Sequence, residues 1–147
     1  MPSDVIFIPG NVASSKNSKQ WTGTRLISSG PTQRYKANTA WYWKLYKQRF
    51  DKMIEGRERP YNVALFFIRD SRRRFDYINI AQIIFDLMVD YLYLCDDSAE
   101  YVIPIFAGYA VDKEKSGVII SVYDENKTIS EIRAEMRNIF YDGAIIS

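Results

Sequence analysis

Histidine is absent from this 147-residue chain, and cysteine occurs once, at Cys95. An internal disulfide, a Cys/His zinc site and a histidine general base are therefore excluded. Any catalysis must come from carboxylates, lysines, hydroxyls or a metal ion on oxygen ligands. No apolar run reaches the roughly 18 residues that a membrane span needs. The opening MPSDVIFIPG has no basic leader, no long apolar stretch and no small-residue cleavage site, so a cytoplasmic protein with no membrane partner is expected. Internal repeats and low-complexity segments are also missing. At 47% hydrophobic content the chain can build one domain with its own core, and nothing in it marks a second.

The charges nearly balance, at a net +2, yet the signs are segregated. Up to Phe75 there are 15 Lys and Arg against 5 Asp and Glu; from Asp76 onward there are 5 against 13. A basic first half fits a polyanionic partner and an acidic second half fits a divalent cation. Two oppositely charged segments folding against each other would give the same count. The sign changes within RRRFDYIN, residues 72–79, where the densest positive charge runs into Asp76.

Val5 to Ile8 reads as a short strand ended by Pro9-Gly10, and the Ser-, Asn- and Lys-rich NVASSKNSKQW reads as a loop. A second short strand is expected at 24–28, then one helix from about 32 to 54. Tyr35, Trp41, Tyr42, Tyr46 and Phe50 recur along it at helical spacing between basic residues, a pattern that fits core packing or stacking on nucleic-acid bases. Tyr61 to Ile68 is β-rich and reads as a central strand. The apolar segments 101–110 and 117–123, joined by DKEKS, read as a hairpin. Thr128 and Glu131 have capping-box spacing for a C-terminal helix to about Tyr141. Together these elements predict an α+β fold, a small mixed sheet with helices packed on it.

Between the central strand and the hairpin, the pattern from Asp76 to about Leu94 is helical. At ~100° per residue Asp76, Asn79, Gln82, Asp86 and Asp90 share one arc of ~120°. That polar stripe is either a solvated face or the lining of a site. Asp96 and Asp97 follow the helix. Eighteen helical residues span ~27 Å, so Asp76 and Asp97 meet only if the helix ends early and the chain doubles back, or if the two ends meet across a dimer. Oxygen ligands of this kind suit Mg²⁺ or Mn²⁺, which can activate water and neutralise a phosphodiester.

RRRFDYINIAQIIFDLMVDYLYLCDDS resembles the central signature of the RusA-type Holliday junction resolvases. That signature runs from basic residues to Asp-x-Asp-Asn, a Lys three residues after the Asn, an Asp four residues later and an Asp-Asp pair ten further on. Asp76, Asn79, Asp86, Asp96 and Asp97 fall at those spacings without a gap. IPGNVASSKNSKQW is similar to the family's Pro/Ser/Asn-rich opening, and the expected hairpin to its closing strand pair. The resemblance covers about residues 4 to 123; with the start of the chain, 1–123 is taken as the nuclease portion and 124–147 as a helical extension of the same domain.

The resemblance implies a homodimeric endodeoxyribonuclease that cuts four-way DNA junctions by paired symmetric nicks, leaving 5′-phosphate and 3′-hydroxyl ends. It also implies Mg²⁺ (or Mn²⁺) held by Asp76, Asp86, Asp96 and Asp97, with Asp76, Asp96 and Asp97 catalytic and Asn79 and Gln82 in support. DNA phosphates would meet Lys16, Asn17, Lys19, Arg72, Arg73 and Arg74, though the arginine run also fits a solvated turn. Two positions depart from the signature. Ile78 stands where the second acid is expected, and Gln82 stands where the lysine is expected. The departures fit either a rebuilt metal shell, with Ile78 packed in the core, or a protein that binds branched DNA without cutting it. The apolar helix 76–94 is the expected contributor to the dimer interface.

Overall fold

The structure, a computed structural model, describes residues 4–14, 19–21, 26–28, 30–143 and 145, with backbone alone for 19–21 and 26–28. At its centre lies the run YNVALFFIR, strand β4 (Tyr61–Arg69) in chain order. Its side chains from Val63 to Ile68 are at most 1% exposed. Alternate side chains of a strand point to opposite faces, so a continuous apolar run needs cover on both. Val63, Leu65 and Phe67 enter one core; Ala64, Phe66 and Ile68 enter another.

β4 sits inside a mixed sheet in the order β1 (Ile6–Pro9), β6 (Gly117–Tyr123), β4, β5 (Val102–Val111). β6 runs antiparallel to both β1 and β4, and β5 runs parallel to β4. The first core lies under α1 (Gly30–Leu45), α2 (Lys47–Ile54) and α3 (Tyr77–Asp90), which contribute Tyr35, Trp43, Phe50, Ile80, Ile84 and Leu87. The second lies under α4 (Ile129–Tyr141), through Ile132 and Met136. The capping box expected at Thr128 is present: its Oγ1 accepts from Glu131 N at 3.1 Å, and its own N–H donates to Glu131 Oε1 at 3.4 Å. The chain is thus one small α+β domain, as the sequence predicts, and 129–141 packs on the same sheet.

Four expectations are corrected. The segment 101–110 does not form a hairpin with 117–123; β5 and β6 border β4 on opposite sides. A direct β5–β6 pair would leave β4 an open edge, although its side chains are buried on both faces. Instead Asp112–Ser116 crosses the end of β4, where Asp112 N donates to Arg69 O at 2.9 Å. The loop after β1 contains a short strand, β2 (Lys19–Trp21), paired antiparallel with β3 (Leu26–Ser28). The expected helix 32–54 divides at Tyr46 into α1 and α2. Its aromatics are mostly core: Tyr35, Trp43 and Phe50 are buried and Tyr42 and Tyr46 pack against them, leaving Trp41 exposed.

The helix expected to reach Leu94 stops at Asp90. Tyr93 N donates to Met88 O at 2.7 Å and Leu92 N to Val89 O at 3.1 Å, the paired bonds of a Schellman stop. Leu92 takes the left-handed conformation that closes it, at φ 64°. The turn swings Tyr93 inward, where its hydroxyl donates to Trp43 O at 2.6 Å and its ring meets Trp43 and Phe50. Left-handed backbone costs an L-residue about 1–2 kcal/mol, and glycine avoids this at about 0.5–1 kcal/mol of lost chain freedom. Because the Leu92 side chain is 74% exposed, little packing is lost with it. Leu92→Gly should therefore raise the unfolding free energy by about 0.5–1 kcal/mol in urea denaturation, and Leu92→Val should lower it.

Candidate functional site

β4 ends in a buried cation. Arg69 is 5% exposed, donates from Nη1 to Val12 O at 2.8 Å, and holds its guanidinium carbon 4.8 Å from the centre of the Phe75 ring. Burial lowers its pKa, opposed by the nearby Asp70 and Tyr35. Asp70 N donates to Asn11 Oδ1 at 3.0 Å. The strand end thus anchors both the 11–14 segment and the ring before Asp76. Arg72, Arg73 and Arg74 lie exposed in the turn between β4 and α3.

Asp76 is the N-cap residue of α3, in extended backbone, but its carboxylate makes no capping bond to the helix. It accepts instead from Asn79 Nδ2, at 3.5 Å. A pocket of about 310 Å³ is lined by Ser14, Arg74, Phe75, Asp76 and Asn79. A carboxylate, an amide and a guanidinium therefore open onto one small space. The carboxylate and amide oxygens suit a hard cation, and the guanidinium suits a phosphate oxygen.

β4, α3 and β5 form one parallel crossover, which separates the remaining acids from this pocket. Asp76 lies where β4 ends; Asp96 and Asp97 lie exposed just before β5 begins, beside the start of β4, where Tyr61 N donates to Tyr101 O. The 14 residues of α3 span ~21 Å between them. Asp86 is half-buried on α3, Gln82 and Asp90 are exposed, and Asn79 is half-buried. Among the described residues no three acidic or thiol side chains form a group that could hold a metal ion. Of the expected site residues, Asp76, Asn79 and Arg74 are brought together, and Asp96 and Asp97 are not brought to them. Lys16 and Asn17 lie outside the described residues, and Lys19 is described only as the backbone that opens β2.

An aromatic cluster flanks Asp76, and the sequence reading did not single it out. The rings of Phe75 and Tyr109 meet edge to face at 5.0 Å, and Tyr77 stacks on Phe106 at 5.4 Å. Burial raises the Tyr77 pKa, the neighbouring Tyr109 hydroxyl adds to this, and Arg133 opposes it. Arg69 was also missed, although an arginine closing the apolar run YNVALFFIR was the available signal. Comparison of the chain with protein-family models and with curated proteins finds no match. Among the described residues no helix is long and apolar enough to cross a membrane.

Ile78 corrects the expectation that it packs in the core, being 74% exposed on the second residue of α3. It is not among the residues that line the Asp76 pocket. An aspartate there would be hydrated and close to the positive end of the helix, so the cost of a buried unpaired charge does not arise. Ile78→Asp should change the unfolding free energy by no more than about 0.5 kcal/mol, and that change should be stabilising at low salt.

Proposed function

We propose that this protein is a Mg²⁺-dependent, structure-selective endodeoxyribonuclease of the RusA type that resolves four-way DNA junctions as a homodimer. The observation that carries the reading is Asp76: a carboxylate left out of the helix cap, sharing a pocket with Arg74 and Asn79 directly after three exposed arginines. Arg72, Arg73 and Arg74 hold backbone phosphates and bring the scissile one to that pocket. Asn79 orients the Asp76 carboxylate. Mg²⁺, when bound there, supplies charge neutralisation on the phosphodiester and an activated water.

One carboxylate per chain at the pocket is a sparse donor set, and the dimer supplies the rest. A two-fold pairing that sets the start of α3 in one copy against the 95–98 segment of the other makes two identical sites, each holding Asp76 of one chain and Asp96 and Asp97 of its partner. Such sites are related by the symmetry that two matched nicks require. The apolar face of α3 is buried in its own core and is not available to that interface.

Mixing separately inactive variants tests the shared site. Asp76→Asn and Asp97→Asn should each abolish Mg²⁺-dependent cleavage of a labelled four-way junction while keeping junction binding. Mixed under subunit exchange, they should recover nicking at up to about a quarter of wild-type site density, because each mixed dimer holds one intact site. Activity in neither variant and none in the mixture would confine the acids to a single chain. Wild-type protein that binds the junction and never cuts it would establish the second reading, a binder of branched DNA, which the single carboxylate at the pocket favours.

Phosphate contact by the arginine run predicts a salt effect. Replacing Arg72, Arg73 and Arg74 together by alanine should reduce the slope of log K against log salt by up to about 2.7 on duplex arms. An unchanged slope would return the run to a solvated turn.

A further inference from the structure

β5 is the outer strand of the sheet, and a groove of about 800 Å³ runs across its open edge. That volume lies within the range of about 300–1,000 Å³ found for ligand sites. One wall is aromatic, made by Tyr77, Phe106 and Tyr109; the other is basic, made by Arg133 and Arg137 of α4.

A local irregularity builds the aromatic wall. Residues three apart in a regular strand point to opposite faces, yet Phe106 and Tyr109 both contact Tyr77. The pairing of β4 with β5 shifts at this point: Leu65 faces Phe106 and Phe66 faces Gly108, leaving Ala107 as an extra residue. Gly108 absorbs the bend at φ +119°, a conformation that side-chain-bearing residues rarely adopt. The bulge thereby turns Tyr109 to the side of Phe106 and leaves it 48% exposed.

Helical spacing builds the basic wall. Arg133 and Arg137 are four residues apart and share the outer face of α4, while Ile132 and Met136 bury the inner one. Among the described residues no acidic one lines the groove. Lys47, Arg57 and Lys127 are each paired with a carboxylate, whereas among the described residues neither groove arginine is.

We propose that this groove binds a short unpaired stretch of a DNA strand, with a base stacking on Tyr109 and phosphates held by Arg133 and Arg137. Two unpaired cations with no opposing acid select a polyanion, and the exposed ring of Tyr109 selects bases whose own faces are free. Phe75 and Tyr77 flank Asp76 in sequence and join the groove to the pocket there, so a strand leaving the pocket would enter the groove. The choice of DNA rests on the function proposed above; binding in the groove does not require that anything be cut.

Fluorescence anisotropy with a labelled oligo-dT, in EDTA, reads the groove without cleavage. Tyr109→Ala, and Arg133→Ala with Arg137→Ala, should each weaken binding about tenfold or more, and the arginine pair should reduce the salt slope by about 1.4. Tyr109→Phe keeps the ring and should retain binding, which separates stacking from a folding defect. Unchanged affinity in both groove variants, equal loss with Tyr109→Phe, or competition by polyglutamate as effective as by unlabelled oligo-dT would overturn the proposal. A junction that is cut while groove variants bind oligo-dT normally defeats the groove alone. Oligo-dT binding that depends on the groove, with no junction cleavage, defeats the nuclease reading alone.

Discussion

Everything in this molecule is arranged around the need to cover β4 on both faces and both edges. Its six central side chains are essentially inaccessible. Leaving any one of the large ones in water would forfeit about 1.5–3 kcal/mol. Cover on one face comes from three helices, on the other from α4, and on the edges from β5 and β6. Because β5 is parallel to β4, a crossover must connect them, and α3 is that crossover. The position of α3 then decides where every carboxylate of the candidate site can lie.

The crossover gives the site its polarity. Asp76 is delivered to the end of β4, beside an arginine turn that Arg69 anchors from within, through Val12 and Phe75. Asp96 and Asp97 are delivered to the other end, after a helix stop at Leu92 that swings Tyr93 into the core. Their spacing in the sequence therefore describes the length of a helix rather than the dimensions of a site. Within one chain the helix keeps the two ends apart, which is why the proposed site is shared between two copies.

The same crossover places the aromatic cluster. Phe75 and Tyr77 lie on either side of Asp76, and their partners Phe106 and Tyr109 come from β5, which α3 leads into. The bulge at Ala107 brings both β5 rings to one side, and α4 closes the far wall with arginines. The helix α4, which lies beyond the RusA resemblance, thus contributes both a core face and half of a groove. One helix does both because its apolar and basic residues fall on different faces.

Where local chemistry decides, the sequence was sufficient. The strand at 61–69, the capping box at Thr128 and the start of α3 at Asp76 were all legible, because apolar continuity, cap spacing and period are properties of neighbouring residues. The basic turn opposite Asp76 and Asn79 was legible for the same reason. Pairing partners were not: DKEKS between two apolar runs looks like a hairpin turn, and only the demand of β4 for neighbours on both edges pulls the runs apart. The stop at Asp90 was hidden because YLYL continues the apolar pattern, while the reason to turn is a hydroxyl reaching Trp43 from fifty residues away in sequence. Ile78 was expected in the core on the supposition of a rebuilt metal shell, yet the face it occupies is open to solvent. The sequence alone therefore determined the main strands and helices, though not all their limits, and which acids and arginines are available. Tertiary packing decided which of them face one another, because that depends on which buried strand must be covered and from which side.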